Sequence, residues 1–224
     1  AFASPAQAGP AQPDRGDQDQ AAEQELPAVR GTIAISGARL TMINPDGTAY
    51  MFSDDSYWRK NRNPECLTGT GVDLNRNNAR GFGQNQGSSA DPVSLVYRGS
   101  AAASEPEARA LLTAAALGPE ARLRFFVDAH SFTQILIAPM TGNARRDAIT
   151  SRLAERMRAT LNNKYLWGPG EPGDQGTGTT ADYFAFTFDI PSWTLELEPR
   201  NGGVAYGGTG VSHSGFILPA SEVP

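Results

Sequence analysis

A single cysteine, Cys66, stands in a chain of 224 residues. No disulfide can close within it, and cysteine usage leaves the redox compartment nearly unconstrained. Basic excess is missing as well. Nineteen Lys and Arg against 24 Asp and Glu leave a formal net charge of −5 and a pI near 5.1. That balance argues against nucleic acid or an anionic membrane surface as the main partner. No apolar run approaches the roughly 18 residues that a membrane-spanning helix needs, and no internal repeat is visible.

What is present is an ordinary globular composition, 39% hydrophobic and 19% charged, with 24 glycines and 16 prolines that imply many loops. A chain of this length buries one sizeable core, so a single domain is the default. Residues 1–24 are rich in Ala, Gln, Pro and Asp with almost no apolar periodicity, and they read as an atypical, extended N-terminal segment. Residues 25–224 are expected to form the domain. The opening Ala1-Phe2-Ala3-Ser4-Pro5-Ala6 has the small-residue character found around signal cleavage sites, which predicts a processed protein, secreted or otherwise extracytoplasmic.

Downstream the texture alternates. Thr32-Ile33-Ala34-Ile35 and Arg39-Leu40-Thr41-Met42-Ile43 are β-rich runs, stopped by the turn chemistry of Asn44-Pro45-Asp46-Gly47. A Gly/Asn/Ser-rich loop region covers 61–99. Ser104-Glu105-Pro106-Glu107 reads as a capping box with Ser104 as N-cap, opening a helix through Leu111, Leu112 and Ala115 that ends at Gly118. Buried strands are expected at 123–128 and 134–137. Ile149, Leu153, Met157 and Leu161 recur every four residues, as on one face of a helix over 147–161. A Gly-rich loop at 168–179 leads to a short helix near Ala181-Asp182-Tyr183-Phe184, and Trp193-Thr194-Leu195-Glu196-Leu197 closes the series as a strand. Strands alternating with helices predict an α/β fold with a largely parallel sheet, whose sites lie at strand C-terminal ends.

Three polar clusters fall at such ends or in adjoining loops. Arg59, Arg62, Asn75 and Arg76 offer forked guanidinium groups and an amide suited to a two-pronged grip on a carboxylate, or else form a solvated basic loop. His130, just past a strand, is a metal ligand, a base or a structural histidine. Glu196, on an apolar strand, is a carboxylate of raised pKa facing a site, or one side of a strand whose Glu196 and Glu198 both face water.

The segments Asn44-Pro45-Asp46-Gly47, Trp58-Arg59-Lys60-Asn61-Arg62, Gly71-Val72-Asp73-Leu74-Asn75-Arg76-Asn77, Tyr97-Arg98-Gly99, Ser104-Glu105-Pro106-Glu107, His130-Ser131-Phe132-Thr133-Gln134, Thr194-Leu195-Glu196-Leu197 and Gly215-Phe216-Ile217-Leu218-Pro219-Ala220-Ser221 occur in the order and rough spacing of zinc carboxypeptidases of the carboxypeptidase A type. The chain resembles that family across 40–224. The resemblance implies a mixed, mostly parallel central sheet flanked by helices, with a shortened N-terminal part. It implies that Asn75 and Arg76 grip the C-terminal carboxylate of a peptide. Arg59 would stabilise the oxyanion on the scissile carbonyl, Glu196 would take a proton from a zinc-bound water, and His130 would be a zinc ligand. Ala181 aligns with the base of the side-chain pocket, where a residue without charge favours apolar or aromatic C-terminal residues over Lys or Arg.

One departure bears on the metal. The family holds its catalytic zinc with two His and one Glu, and the expected His-x-x-Glu pair falls where the sequence reads Ala1-Phe2-Ala3-Ser4. The only other histidine is His213. Three readings follow: a hydrolase whose zinc site is rebuilt around His130 with His213, Glu171, Asp174 or carboxylates of 14–25; a non-catalytic relative that binds peptide C-terminal carboxylates; or a truncated or rearranged product whose missing segment contained the motif.

Overall fold

The computed structural model describes residues 42–64, 66, 71–116, 123–171, 177–200 and 216, all within one compact unit spanning 40–223. The β-rich run at 32–35, the helix end at Gly118, Asp174, His213 and the N-terminal segment lie outside the described residues.

The first element is a helix, where the sequence suggested a turn. Asn44 caps α1 (Pro45–Ser53), its side chain accepting a hydrogen bond from the Gly47 N–H at 3.1 Å. Asn-Pro-Asp is turn chemistry, but an N-cap followed by proline at the first helical position and an acid in the first turn is equally a helix start. A long loop region with one 3-10 turn (Leu74–Arg76) follows. Then come α2 (Pro106–Ala116), β1 (Phe126–Ser131), β2 (Ile135–Ala138), α3 (Ala144–Thr160), β3 (Leu166–Pro169), α4 (Thr180–Phe188) and β4 (Ser192–Leu197).

The sheet has the order β1-β4-β2-β3, with β1 parallel to β4, β2 parallel to β3, and β2 antiparallel to β4. It is therefore mixed with parallel pairs in the majority, as expected. The connection from β1 to β2 passes over the end of β4, where the Thr133 and Gln134 N–H groups both donate to the Leu197 carbonyl at 3.1 and 3.0 Å. That crossing holds the C-terminal end of β4 in place.

One face of the sheet carries the main apolar core. Leu136, Ala138 and Trp193 pack with Met140 and with Ala154 of α3, joined by Val127, Leu153, Met157, Trp167 and Leu195. The buried line of α3 runs through Arg146, Thr150 and Ala154, while Ile149 is 42% exposed. The expected stripe is thus rotated towards Thr150 and Ala154, with Leu153 and Met157 retained at its margin. On the other face, α4 covers the start of β1, where Phe184 stacks on Phe126 at 4.0 Å.

The expected capping box at Ser104 does not form. The helix starts at Pro106, with the Glu105 carbonyl accepting from the Arg109 N–H at 3.2 Å. The Ser104 hydroxyl instead accepts from Asn77 Nδ2 and donates to Glu105. Both side chains were recruited by a buried network that stitches the loops together. Asn77 donates to the Arg98 and Ala101 carbonyls, and Asn61 Nδ2 donates to the Glu105 carboxylate at 2.8 Å. Asn61, Asn77 and Glu105 are each at most 2% exposed, and buried polar groups of this kind are held in place by their partners. Gly71 sits inside this weave at φ +60°, where a Cβ would lie 1.9 Å from the Asn61 carbonyl oxygen.

Candidate active site

In the parallel register of β1 and β4, His130 lies opposite Glu196 and Asp128 opposite Thr194. Side chains alternate along a strand and directly paired residues share a face. Asp128, His130, Thr194 and Glu196 therefore form one polar patch towards the C-terminal ends of two parallel strands, the usual place for a site in an α/β sheet. Ile135 on β2 pairs with Glu196 from the other side and gives the patch an apolar border.

The His130 imidazole is oriented by Asp128. Its Nε2 lies 3.0 Å from Asp128 Oδ2, two residues back on the same strand face. Burial alone lowers the imidazole pKa, but the hydrogen bond and charge of Asp128, with the charge of Glu196, outweigh it and leave the pKa raised. The Nε2 hydrogen is committed to Asp128, so Nε2 cannot accept from Asn75 Nδ2, which sits 3.4 Å away. The amide orientation of Asn75 is set elsewhere: its Oδ1 accepts from the Thr180 N–H at 2.8 Å and the Thr180 hydroxyl at 3.2 Å. The Asn75 NH₂ group is thereby turned towards the patch as a donor in want of an acceptor.

Arg76 stands next to it. Nε donates to the Gly87 carbonyl at 2.8 Å and Nη1 to the Asn75 carbonyl at 2.7 Å. These two bonds fix the plane of the guanidinium, and no acidic side chain pairs with it among the described residues. Burial lowers its pKa, with Asp73 opposing that shift and Arg59 adding to it. It stays a cation throughout the working pH range, half-buried and short of an anion. Gly178, at φ +82°, lets the loop before α4 close over this turn, since a Cβ there would meet the Arg76 carbonyl oxygen at 2.9 Å.

Arg59 donates through Nη2 to Asp73 Oδ2 at 2.6 Å. It also acts electrostatically on both His130 and Glu196. The Glu196 pKa is raised chiefly by burial, with His130 and Arg59 partly offsetting the shift. Its Oε2 is buried without a hydrogen-bond partner among the described residues. A carboxylate oxygen left bare at a strand end is costly unless something brings it a proton or a positive charge.

The positions singled out in the sequence thus converge. Asn75, Arg76, Arg59, His130 and Glu196 are linked by direct contact or by electrostatic interaction, and Ala181, 2% exposed, directly follows the Thr180 that holds Asn75. The family model for zinc carboxypeptidases matches residues 40–224. The chain belongs to the zinc carboxypeptidase family. It is 29% identical to carboxypeptidase A1 of Rattus norvegicus over 191 residues, covering 81% of this chain and 42% of that protein. It is 38% identical to carboxypeptidase A5 of Homo sapiens over 194 residues, covering 81% and 41%. Among solved structures, carboxypeptidase A from Helicoverpa armigera superposes with a TM-score of 0.59 at 29% identity, covering 71% of this chain and 42% of that one. Bovine thrombin-activatable fibrinolysis inhibitor, in complex with tick carboxypeptidase inhibitor, gives 0.63 at 25% identity over 81% and 60%. The chain spans less than half the length of these two curated relatives.

For the zinc that gives the family its description, the described residues offer one candidate ligand. His130 is built as ligating histidines are, with one ring N–H handed to a carboxylate and Nδ1 left over. Around it, however, no group of three His, Cys, Asp or Glu is gathered among the described residues. The described side chains do not by themselves compose a zinc site. Sequence reasoning assigned no role to Asp128, Asp73 or Thr180. Asp128 was findable, since strand period two puts it on the His130 face; Asp73 and Thr180 act across 14 and 105 residues of sequence, which no local pattern reveals.

Proposed function

We propose that this is a carboxypeptidase-type site that holds a peptide by its C-terminal carboxylate and presents Glu196 to the last peptide bond as proton acceptor. The observation that carries the reading is the pairing of Arg76, a half-buried cation without an acidic partner among the described residues, with an Asn75 amide whose donor end is turned outward by Thr180. A carboxylate between them would gain a charge-assisted contact and a second hydrogen bond. Arg59 would meet negative charge developing on the scissile carbonyl. Ala181, small and uncharged, would form a pocket base that accepts apolar or aromatic C-terminal side chains in preference to Lys or Arg.

A second reading, binding without turnover, is favoured by the short supply of metal donors around His130 among the described residues. Both readings share the carboxylate grip, so the first test addresses it. Isothermal titration with an N-acylated dipeptide ending in a free acid is expected to show binding at least tenfold tighter than the matching C-terminal amide, about 1.4 kcal/mol. Equal affinity for acid and amide would remove the basis of both readings. A hydrolysis assay on the same dipeptide separates them.

A further inference from the structure

We propose that Asp73 is a positioning residue that sets Arg59 at a fixed distance from the carboxylate grip; the inference rests on the function proposed above. All three residues of the loop region proposed to face substrate are bonded to this one residue, Arg59 through its side chain and Asn75 and Arg76 through their backbone N–H groups. Arg59 Nη2 donates to Asp73 Oδ2 at 2.6 Å, the Asn75 N–H donates to Asp73 Oδ1 at 3.1 Å, and the Arg76 N–H donates to the Asp73 carbonyl at 2.9 Å. The Asp73 N–H is itself anchored on the Tyr97 carbonyl at 2.8 Å. Its side chain is 4% exposed while that of Arg59 is 40% exposed. The rigid partner is therefore the acid and the one that must be held is the arginine.

A long, solvent-touched arginine samples many rotamers, and fixing it costs side-chain entropy that a buried carboxylate can offset. A peptide gripped at its C-terminus by Asn75 and Arg76 has its last peptide bond at a set remove from them. Asp73 is the group that ties Arg59 to the same backbone turn, so carboxylate and carbonyl are met in register. The division of its two oxygens gives separable effects. Oδ1 supports the turn, and Oδ2 aims the arginine.

The test compares two ligands: an N-acylated dipeptide acid, and a phosphonate analogue of it that carries a tetrahedral anion in place of the scissile carbonyl. Asp73→Asn keeps an oxygen for the Asn75 N–H and loses the ionic hold on Arg59. It is expected to weaken phosphonate binding at least tenfold while the dipeptide acid stays within about twofold of wild type. Arg59→Ala should show the same split, and the double variant should lose no more than the larger single loss, the signature of residues acting through one another. If Asp73→Asn does not fold, Asp73→Glu, which moves the charge by one methylene, is expected to give the same split. An unchanged phosphonate affinity, or equal weakening of both ligands, overturns the proposal, since a merely structural role would move both together. A wild-type chain that binds neither ligand better than the amide overturns the underlying function first, and the positioning role falls with it.

Discussion

Glu196 carries an unfavourable balance in the unliganded protein. Its carboxyl is partly buried, Oε2 has no hydrogen-bond donor among the described residues, and burial raises its pKa despite His130 and Arg59. A carboxyl whose folded pKa lies above its unfolded value binds more protons in the native state between the two. Its contribution to stability is therefore fully present below the unfolded pKa near 4.5 and is lost as pH rises through the folded value. Glu196→Gln removes that titration. The variant is expected to melt a few degrees above wild type at pH 7, with the difference shrinking below the unfolded pKa, and thermal melts across pH 3.5–8 check this. The effect is modest because the group keeps some contact with water. A variant less stable than wild type at pH 7 would show that Glu196 has a structural partner. The identity of this residue as a candidate was legible from the sequence, because a Glu inside an apolar strand run stands out. Its isolation was not, because whether a donor reaches Oε2 depends on how His130 and Arg59 are held: Asp128 holds His130 from two residues back on the same strand, but Asp73 reaches Arg59 across 14 residues of sequence.

At the scale of elements, the strands and the long helix were legible to within a few residues, because period and composition belong to the segment itself. The faces of α3 were less so. A spacing of four through Ile149, Leu153, Met157 and Leu161 drifts around a helix of 3.6 residues per turn, and the sheet selects the line through Thr150 and Ala154. Small side chains there let α3 sit close on Leu136 and Trp193. Two substitutions separate the alternatives. Ile149→Lys is expected to change unfolding free energy by no more than about 0.5 kcal/mol, as for an exposed site. Ala154→Leu, at a fully buried position, is expected to cost about 1–3 kcal/mol by overpacking. Urea titration followed by far-UV circular dichroism reads both. The reverse order would place the buried line along Ile149. Helix starts were the least legible elements. Asn44-Pro45 is common to turns and caps, and Ser104 is drawn from capping into the Asn77 network, a tertiary demand that outranks a local one.

Across the whole molecule, the proposed carboxylate grip and the proposed metal ligand His130 come from different segments of the chain, and this makes the two roles separable in solution. Arg76, Asn75 and Thr180 hold one another through the 3-10 turn and the start of α4, and meet His130 only where Asn75 Nδ2 lies 3.4 Å from its Nε2. Among the described residues, zinc has one candidate ligand, His130, against the three protein ligands of a catalytic site. Loss of one supporting partner alone commonly costs 10–100-fold in metal affinity, so two missing ligands leave a weak site. The expected result is that protein dialysed at micromolar free zinc retains well under one equivalent by elemental analysis. Its preference for a peptide acid over the amide should survive chelation unchanged. Hydrolysis, where found, should rise with added zinc and vanish in His130→Ala, while acid binding in that variant persists. One full equivalent of zinc retained through dialysis would instead require ligands from residues outside the described set. His213→Ala is the variant to make in that case: loss of the metal would identify a rebuilt centre, and its retention would assign the ligands to carboxylates. Acid binding that disappears with the metal would overturn the separation itself, because Arg76 and Asn75 would then be too weak a grip on their own.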